Sequence, residues 1–194
     1  MNAMKLVFAT ANRNKAREIQ ALLPAGLEVL SLEEIHCHEE IPETQDTIEG
    51  NAAQKAFYVY EKYAQNCFAD DTGLEIEALN GRPGVLSARY AGEAKNADNN
   101  MNKILGEMKG ITNRDAHFKT VISLVINGKE VAFEGVIKGR ILEEKRGDKG
   151  FGYDPIFQPE GHSRSFAEMD LEEKNTISHR AIAIKKLVAY LSSL

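Results

Sequence analysis

From Lys5 to Thr10 the chain reads KLVFAT, a short apolar and β-prone run. The apolar positions then change to helical spacing at Ala16, Ile19, Leu22 and Leu23, ending before Pro24. The pattern predicts strand, tight loop, helix. Leu27 to Leu32 predicts a second strand, and the acidic stretch from Glu33 to Asp46 a loop. Ile48, Ala52, Ala56, Val59 and Tyr63 recur at intervals of three and four, so an amphipathic helix is expected there, with Thr47 as its N-cap and Lys55 off the apolar stripe. Cys67-Phe68-Ala69 feeds Asp70-Asp71-Thr72-Gly73, then the apolar run Leu74 to Leu79 and the breaker-rich Asn80-Gly81-Arg82-Pro83-Gly84, which places the two carboxylates at a strand end. A helix is expected from Asp98 to Met108. Phe118 to Ile126 and Glu130 to Ile141 are β-prone runs joined by Asn127-Gly128, a strong hairpin signal. Ala181, Ile184, Val188 and Leu191 mark a terminal helix capped by Ser178.

Strands alternate with helices first and a hairpin follows, so the fold class is mixed α/β. Neither repeats nor a linker interrupt the 194 residues, which read as one domain over 1–194 in which any second lobe is built from insertions. Residues 1–3, ahead of Met4, read as an extension outside the fold. With 43% hydrophobic and 27% charged residues, the composition excludes a disordered or fibrous chain. No apolar run is long enough to span a bilayer and no secretory leader pattern opens the chain, so no membrane is expected as a partner. Cys37 and Cys67 form no ligand pair by spacing and suit a reducing compartment, so a cytoplasmic protein is expected. Twenty-four Lys+Arg against 29 Asp+Glu gives a net charge of −5, which argues against nucleic acid as a partner. An anionic ligand would need a local cluster of cations.

Three familiar signatures are absent: GxxxxGK[ST], GxGxxG after a strand, and HExxH. What remains is a composite of Thr10-x-Asn12-x-x-Lys15 at the first strand-to-helix junction, Asp70-Asp71-Thr72-Gly73, Phe151-Gly152-Tyr153-Asp154 and Lys174-x-x-x-Ser178-His179-Arg180. Each part has an ordinary explanation: a turn whose Thr and Asn satisfy backbone groups, a solvated acidic turn, a helix cap. A helix start with hydroxyl, amide and Lys donors is equally suited to phosphate oxygens. Asp70 and Asp71, if a strand runs through them, cannot point the same way and should have different roles. His36-Cys37-His38-Glu39-Glu40 has spacings too short to close a tetrahedral metal site and reads as a solvated loop, as do His117 and His162.

In this order and spacing the composite resembles the inosine triphosphate pyrophosphatase family, over nearly the whole chain from Lys5 to the terminal helix; the SHR and FGYDP segments are its most specific parts. The resemblance implies an elongated central β-sheet flanked by helices, in two lobes with the active cleft between them. It implies hydrolysis of ITP, dITP and XTP to the monophosphate and pyrophosphate, with Mg²⁺ as cofactor and a homodimer as assembly. Thr10, Asn12 and Lys15 would then hold the triphosphate, with Lys55, Thr72 and Arg89 also on the substrate. Asp71 would be the general base or a metal-bound carboxylate, and Asp70 and Glu43 further metal contacts. In the purine pocket Phe151 would stack on the base, Gly152 would lie in the pocket turn, and Lys174, His179 and Arg180 would contact the base edge or the phosphates. Tyr153 would serve as core packing, and Asp154 would either meet the ligand or orient Arg180. A Maf-type nucleotide pyrophosphatase and a non-catalytic nucleotide-binding protein on the same fold are the alternatives.

Overall fold

The computed structural model describes residues 4–194, so the reading of residues 1–3 lies outside the described residues. The described residues form strands β1 (Met4–Phe8), β2 (Leu27–Leu30), β3 (Cys67–Ile76), β4 (Pro83–Gly84), β5 (Asp115–Ile126), β6 (Lys129–Ile141) and β7 (Phe157–Pro159) and five α-helices. These are α1 (Arg13–Gln20), α2 (Ile48–Tyr63), α3 (Ala97–Glu107), α4 (Leu171–Ile177) and α5 (His179–Leu191). The sheet order among the described residues is β2-β1-β3-β5-β6-β7, with β4 paired to β3. β1 runs parallel to β2 and β3, whereas β3/β4 and β6/β7 are antiparallel, so the sheet is mixed, as the sequence pattern requires. The hairpin between β5 and β6 turns on Asn127 and Gly128, both at positive φ, which a two-residue type I′ turn demands.

The chain folds into two compact units, each discontinuous in sequence. Of the described residues, the first holds those from Met4 to Asp71, Thr120–Gly135 and Arg180–Leu194; the second holds Thr72–Lys119 and Val136–His179. In the first unit β1 is covered on both faces. Leu6 and Phe8 pack with Ile19, Phe68, Ile184 and Leu187, while Val7 and Ala9 pack with Ala56, Val59, Cys67 and Ala69. Both sets are buried, which is why KLVFA is a continuous apolar run rather than an alternating one. The second unit closes around Leu74, Ile76, Ile104, Met108, Phe118, Phe157 and Phe166. Its buried Arg114 donates to the carbonyls of Met108, Ile141 and Leu142.

Four expectations are corrected. β3 runs unbroken through Asp70-Asp71-Thr72-Gly73, so the carboxylates sit inside a strand and not at its end. The strand survives because cations on other elements meet both carboxylates. Lys55 lies on the buried face of α2 with Ile48, Asn51, Ala52, Ala56 and Val59; counting apolar positions alone skips the two polar members of that face. Cys37 is buried in the first unit's core, so the His36–Glu40 segment is only in part a solvated loop. Thr47 caps α2 as expected, its hydroxyl accepting from the Gly50 N–H at 3.0 Å. α4, which carries Lys174, has no counterpart in the sequence pattern; its seven residues are too few to show a period. His117, read as a loop residue, lies instead within β5, half-buried and partnered by Glu75 at 2.6 Å.

Candidate functional site

Thr10 and Asn12 first serve their own turn. The Thr10 hydroxyl accepts from the Asn12 N–H, and Asn12 Oδ1 caps α1 by accepting from the N–H groups of Asn14 at 3.0 Å and Lys15 at 3.2 Å. That cap sets the helix start, and Lys15, three residues on, is half-buried. The Lys15 ammonium lies 3.1 Å from Asp70 Oδ2.

Alternation along β3 divides the two aspartates. Asp70 follows Phe68 to the face packed by α1 and α5, and Asp71 follows Cys67 and Ala69 to the face packed by α2. On the first face Asp70 meets Lys15 and, at 3.3 Å, the Nε of Arg180, whose Nη1 pairs with Glu18. Burial alone would raise the Asp70 pKa, but Lys15, Arg180 and Lys55 together hold its carboxyl well below the usual range. Burial also lowers the Lys15 pKa, against the pull of Asp70. On the second face Asp71 accepts from Asn51 Nδ2 at 3.4 Å and faces Lys55 Nζ at 3.8 Å. Lys55 is 2.5 Å from Glu43 Oε1. The loop bearing Glu43 is fixed to α2 by Gln45 N–H on Asn51 and by Thr44 on Gln54. Burial pushes the Asp71 pKa up, and Lys55 and Lys15 only partly offset it. Asp70 is sealed from solvent, whereas the Asp71 side chain keeps 12% of its surface. A buried salt anchor and an accessible carboxylate of raised basicity therefore stand at adjacent positions.

Asp71 and Glu43 converge on one ammonium, so their oxygens already point to one place. Such hard oxygen donors suit Mg²⁺, which keeps waters and needs only one or two carboxylates plus phosphate oxygens. Among the described residues no group of three or more His, Cys, Asp or Glu side chains gathers to enclose a metal. Asp70, expected as a metal contact, is instead engaged by Lys15 and Arg180.

The second unit holds the other cluster. Lys174 Nζ pairs with Asp154 Oδ2 at 2.6 Å, both side chains 3% exposed, and the ammonium lies 5.0 Å from the Phe151 ring centre. The same Asp154 oxygen accepts the Phe151 N–H at 2.8 Å. Asp154 thus orients Lys174, while Arg180 is oriented by Asp70 and Glu18. Gly152 has φ 64, a left-handed conformation that favours glycine in this turn. Tyr153 is core packing as expected, its hydroxyl donating to Ser87 O at 2.7 Å. His179 stacks on Phe118, centroids 4.6 Å apart, in the buried interior. Thr72 and Arg89 are not among the fully buried residues, and Arg89 lies 3.9 Å from Glu93.

The chain matches the Ham1 family model over residues 6–190. The chain belongs to the Ham1 family. It is 59% identical over 190 residues to a Flavobacterium johnsoniae protein named dITP/XTP pyrophosphatase, covering 98% of this chain and 99% of that one. A Bacillus subtilis protein of the same name is 47% identical over 191 residues, 96% of each chain. The solved HAM1 protein from Coxiella burnetii superposes with a TM-score of 0.91 at 37% identity, covering 98% of this chain and 100% of that one. The Staphylococcus aureus Ham1 protein gives a TM-score of 0.89 at 37% identity, covering 97% and 98%. Within this Ham1 chain, the side chains that motif reading passes over are Glu18 and Asn51. Both leave a trace: Glu18 lies one turn from Lys15 beside the apolar Ile19, and Asn51 one turn before Lys55 on the α2 stripe.

Proposed function

We propose that this protein hydrolyses modified purine nucleoside triphosphates, ITP, dITP and XTP, to the monophosphate and pyrophosphate, and so cleanses the nucleotide pool. The observation that carries this reading is the separation of Asp70 and Asp71 onto opposite faces of β3, one locked to Lys15 and Arg180, the other left accessible beside Lys55 and Glu43. Lys15, with the α1 start shaped by Thr10 and Asn12, binds phosphate oxygens; Lys55 adds a second cation, and Arg89 and Thr72 are assigned to the substrate as well. Asp71 accepts a proton from the attacking water as that oxygen bonds to the α-phosphorus. The bond from the α-phosphorus to the bridging oxygen breaks, and pyrophosphate leaves with the electron pair. Mg²⁺ would be held by Asp71 and Glu43 and would supply charge neutralisation to the phosphates and acidification of water.

Phe151 stacks on the purine and Lys174, held by Asp154, donates to O6. Adenine carries an amino donor at that position, so ATP would set donor against donor. A site built to bond one partner rejects an analogue lacking it by about 10⁴ to 10⁵. His179 and Arg180, assigned to the base or phosphates on resemblance, act from buried positions. A homodimer and a cytoplasmic setting are proposed on the same resemblance. No helix among the described residues is long and apolar enough to cross a membrane. Pyrophosphate release from dITP, XTP, ITP, ATP and GTP with Mg²⁺ is the test. Equal rates on ATP and ITP would remove the base assignment, preference for pyrimidine nucleotides would favour a Maf-type activity, and binding without release would leave a nucleotide sensor.

A further inference from the structure

Glu18 is a charged side chain only 4% exposed, on the face of α1 that also carries Lys15. Its carboxylate pairs with Arg180, a large and fully buried side chain. Arg180 and Lys15 converge on a single oxygen, Asp70 Oδ2, through Nε at 3.3 Å and Nζ at 3.1 Å. A guanidinium left alone with a carboxylate takes it with two parallel N–H bonds. Glu18 pairs with Nη1 while Asp70 receives the Nε–H, so the guanidinium is held between two carboxylates and Asp70 Oδ2 also meets the ammonium. Charges in this buried set balance at two against two: Arg180 and Lys15 with Asp70 and Glu18.

We propose that Glu18 is a positioning residue that acts through Arg180 and Asp70 to hold the Lys15 ammonium where it meets phosphate. This deepens the functional reading above and rests on its assignment of Lys15 to the triphosphate. Without the Glu18 charge, Arg180, which stays protonated, swings onto Asp70 and displaces Lys15. Lys15 binds the phosphates before and during reaction alike, so its displacement raises KM more than it lowers kcat.

The test titrates inorganic tripolyphosphate into the full chain by calorimetry, beside steady-state kinetics on dITP. Glu18→Gln is expected to bind tripolyphosphate about tenfold more weakly and to raise KM by a similar factor, with kcat within about threefold, a tenfold change being 1.4 kcal/mol. Glu18→Asp, which keeps the charge, recovers part of the affinity. In the Lys15→Ala background, Glu18→Gln causes no further loss, because the two act through one contact. A merely structural Glu18 would lower the melting temperature and apparent kcat with KM and tripolyphosphate affinity unchanged; that result, or additive losses in the double variant, overturns the proposal. If Glu18→Gln does not fold, Glu18→Asp decides: wild-type affinity overturns the proposal and a loss of threefold or more supports it. A wild-type protein that binds tripolyphosphate but does not hydrolyse dITP overturns the proposed reaction and leaves this arm intact. Failure to bind tripolyphosphate at all overturns both.

Discussion

A strand shows its successive side chains to opposite sides, and that rule alone gives Asp70 and Asp71 different chemistry. Asp70 is surrounded by cations and stays charged; Asp71 is buried but not sealed, with its pKa raised by that burial, where a carboxylate becomes a better base. Asp71→Asn keeps the size of the side chain and is expected to leave the melting temperature close to wild type while turnover of ITP falls by about 10² to 10⁴, the usual cost of losing a general base. Full turnover in a folded variant would take Asp71 out of the reaction. Cys67 shows the opposite use of burial. Its Sγ donates to Ala56 O at 3.1 Å, and the apolar surroundings push the thiol up to about 12. The folded value lies above the unfolded one, so the stability gained by keeping the thiol neutral is complete below the unfolded pKa and is lost as pH rises from about 8.5 toward the folded value. Urea unfolding should therefore show a smaller decline between neutral and alkaline pH for Cys67→Ala than for wild type; parallel declines would count against it.

At the level of elements, the site depends on loops and helix starts held by their own side chains. Asn12 caps α1, Thr47 caps α2, and Glu39 fixes the loop before α2 by accepting from Tyr58 at 3.0 Å and Tyr63 at 2.6 Å. The turn before Phe151 is tighter still. Gly150 has φ 70, and a Cβ added there would fall on Asp154 Oδ2, the oxygen shared by Lys174 and the Phe151 N–H. Gly150→Ala must push that carboxylate aside. A hydrogen bond to a charged group is worth about 1.5 to 3 kcal/mol, so kcat/KM on XTP should fall at least about tenfold. Gly161→Ala is the control, because it has a comparable positive φ of 77 with nothing near its Cβ. It should lose stability and keep kcat/KM, and equal kinetic losses in both would show that backbone strain, not Asp154, is responsible.

Over the whole molecule, a net charge of −5 opposes binding of a polyanion, so the proposed reaction relies on local cations together with the proposed divalent ion. Lys15, Lys55 and Arg180 lie in the first unit among four carboxylates, Glu18, Glu43, Asp70 and Asp71, which leaves that cluster with no positive excess. Chelation by EDTA is accordingly expected to abolish pyrophosphate release, with recovery on adding Mg²⁺ in excess. Activity undiminished by EDTA would show that protein cations alone suffice.

Local patterns suffice for the mixed α/β class, because continuous apolar runs, helical stripes and Asn127-Gly128 are signals whose period follows from backbone geometry. Four short motifs likewise carry the candidate residues apart from Glu43, Lys55 and Arg89, since helix caps and turns are written within a few positions. The partners of those residues come only with folding. That Lys55 lies on the buried face of α2 rather than standing as an outlying charge depends on Asp71 and Glu43 being there to receive it. That Arg180 serves Asp70 and Glu18, 110 and 162 positions away, is invisible to any local pattern. Period and capping are fixed within one or two turns of chain, whereas the pairing of buried charges is fixed by which elements the sheet brings together, and only the folded chain contains that information.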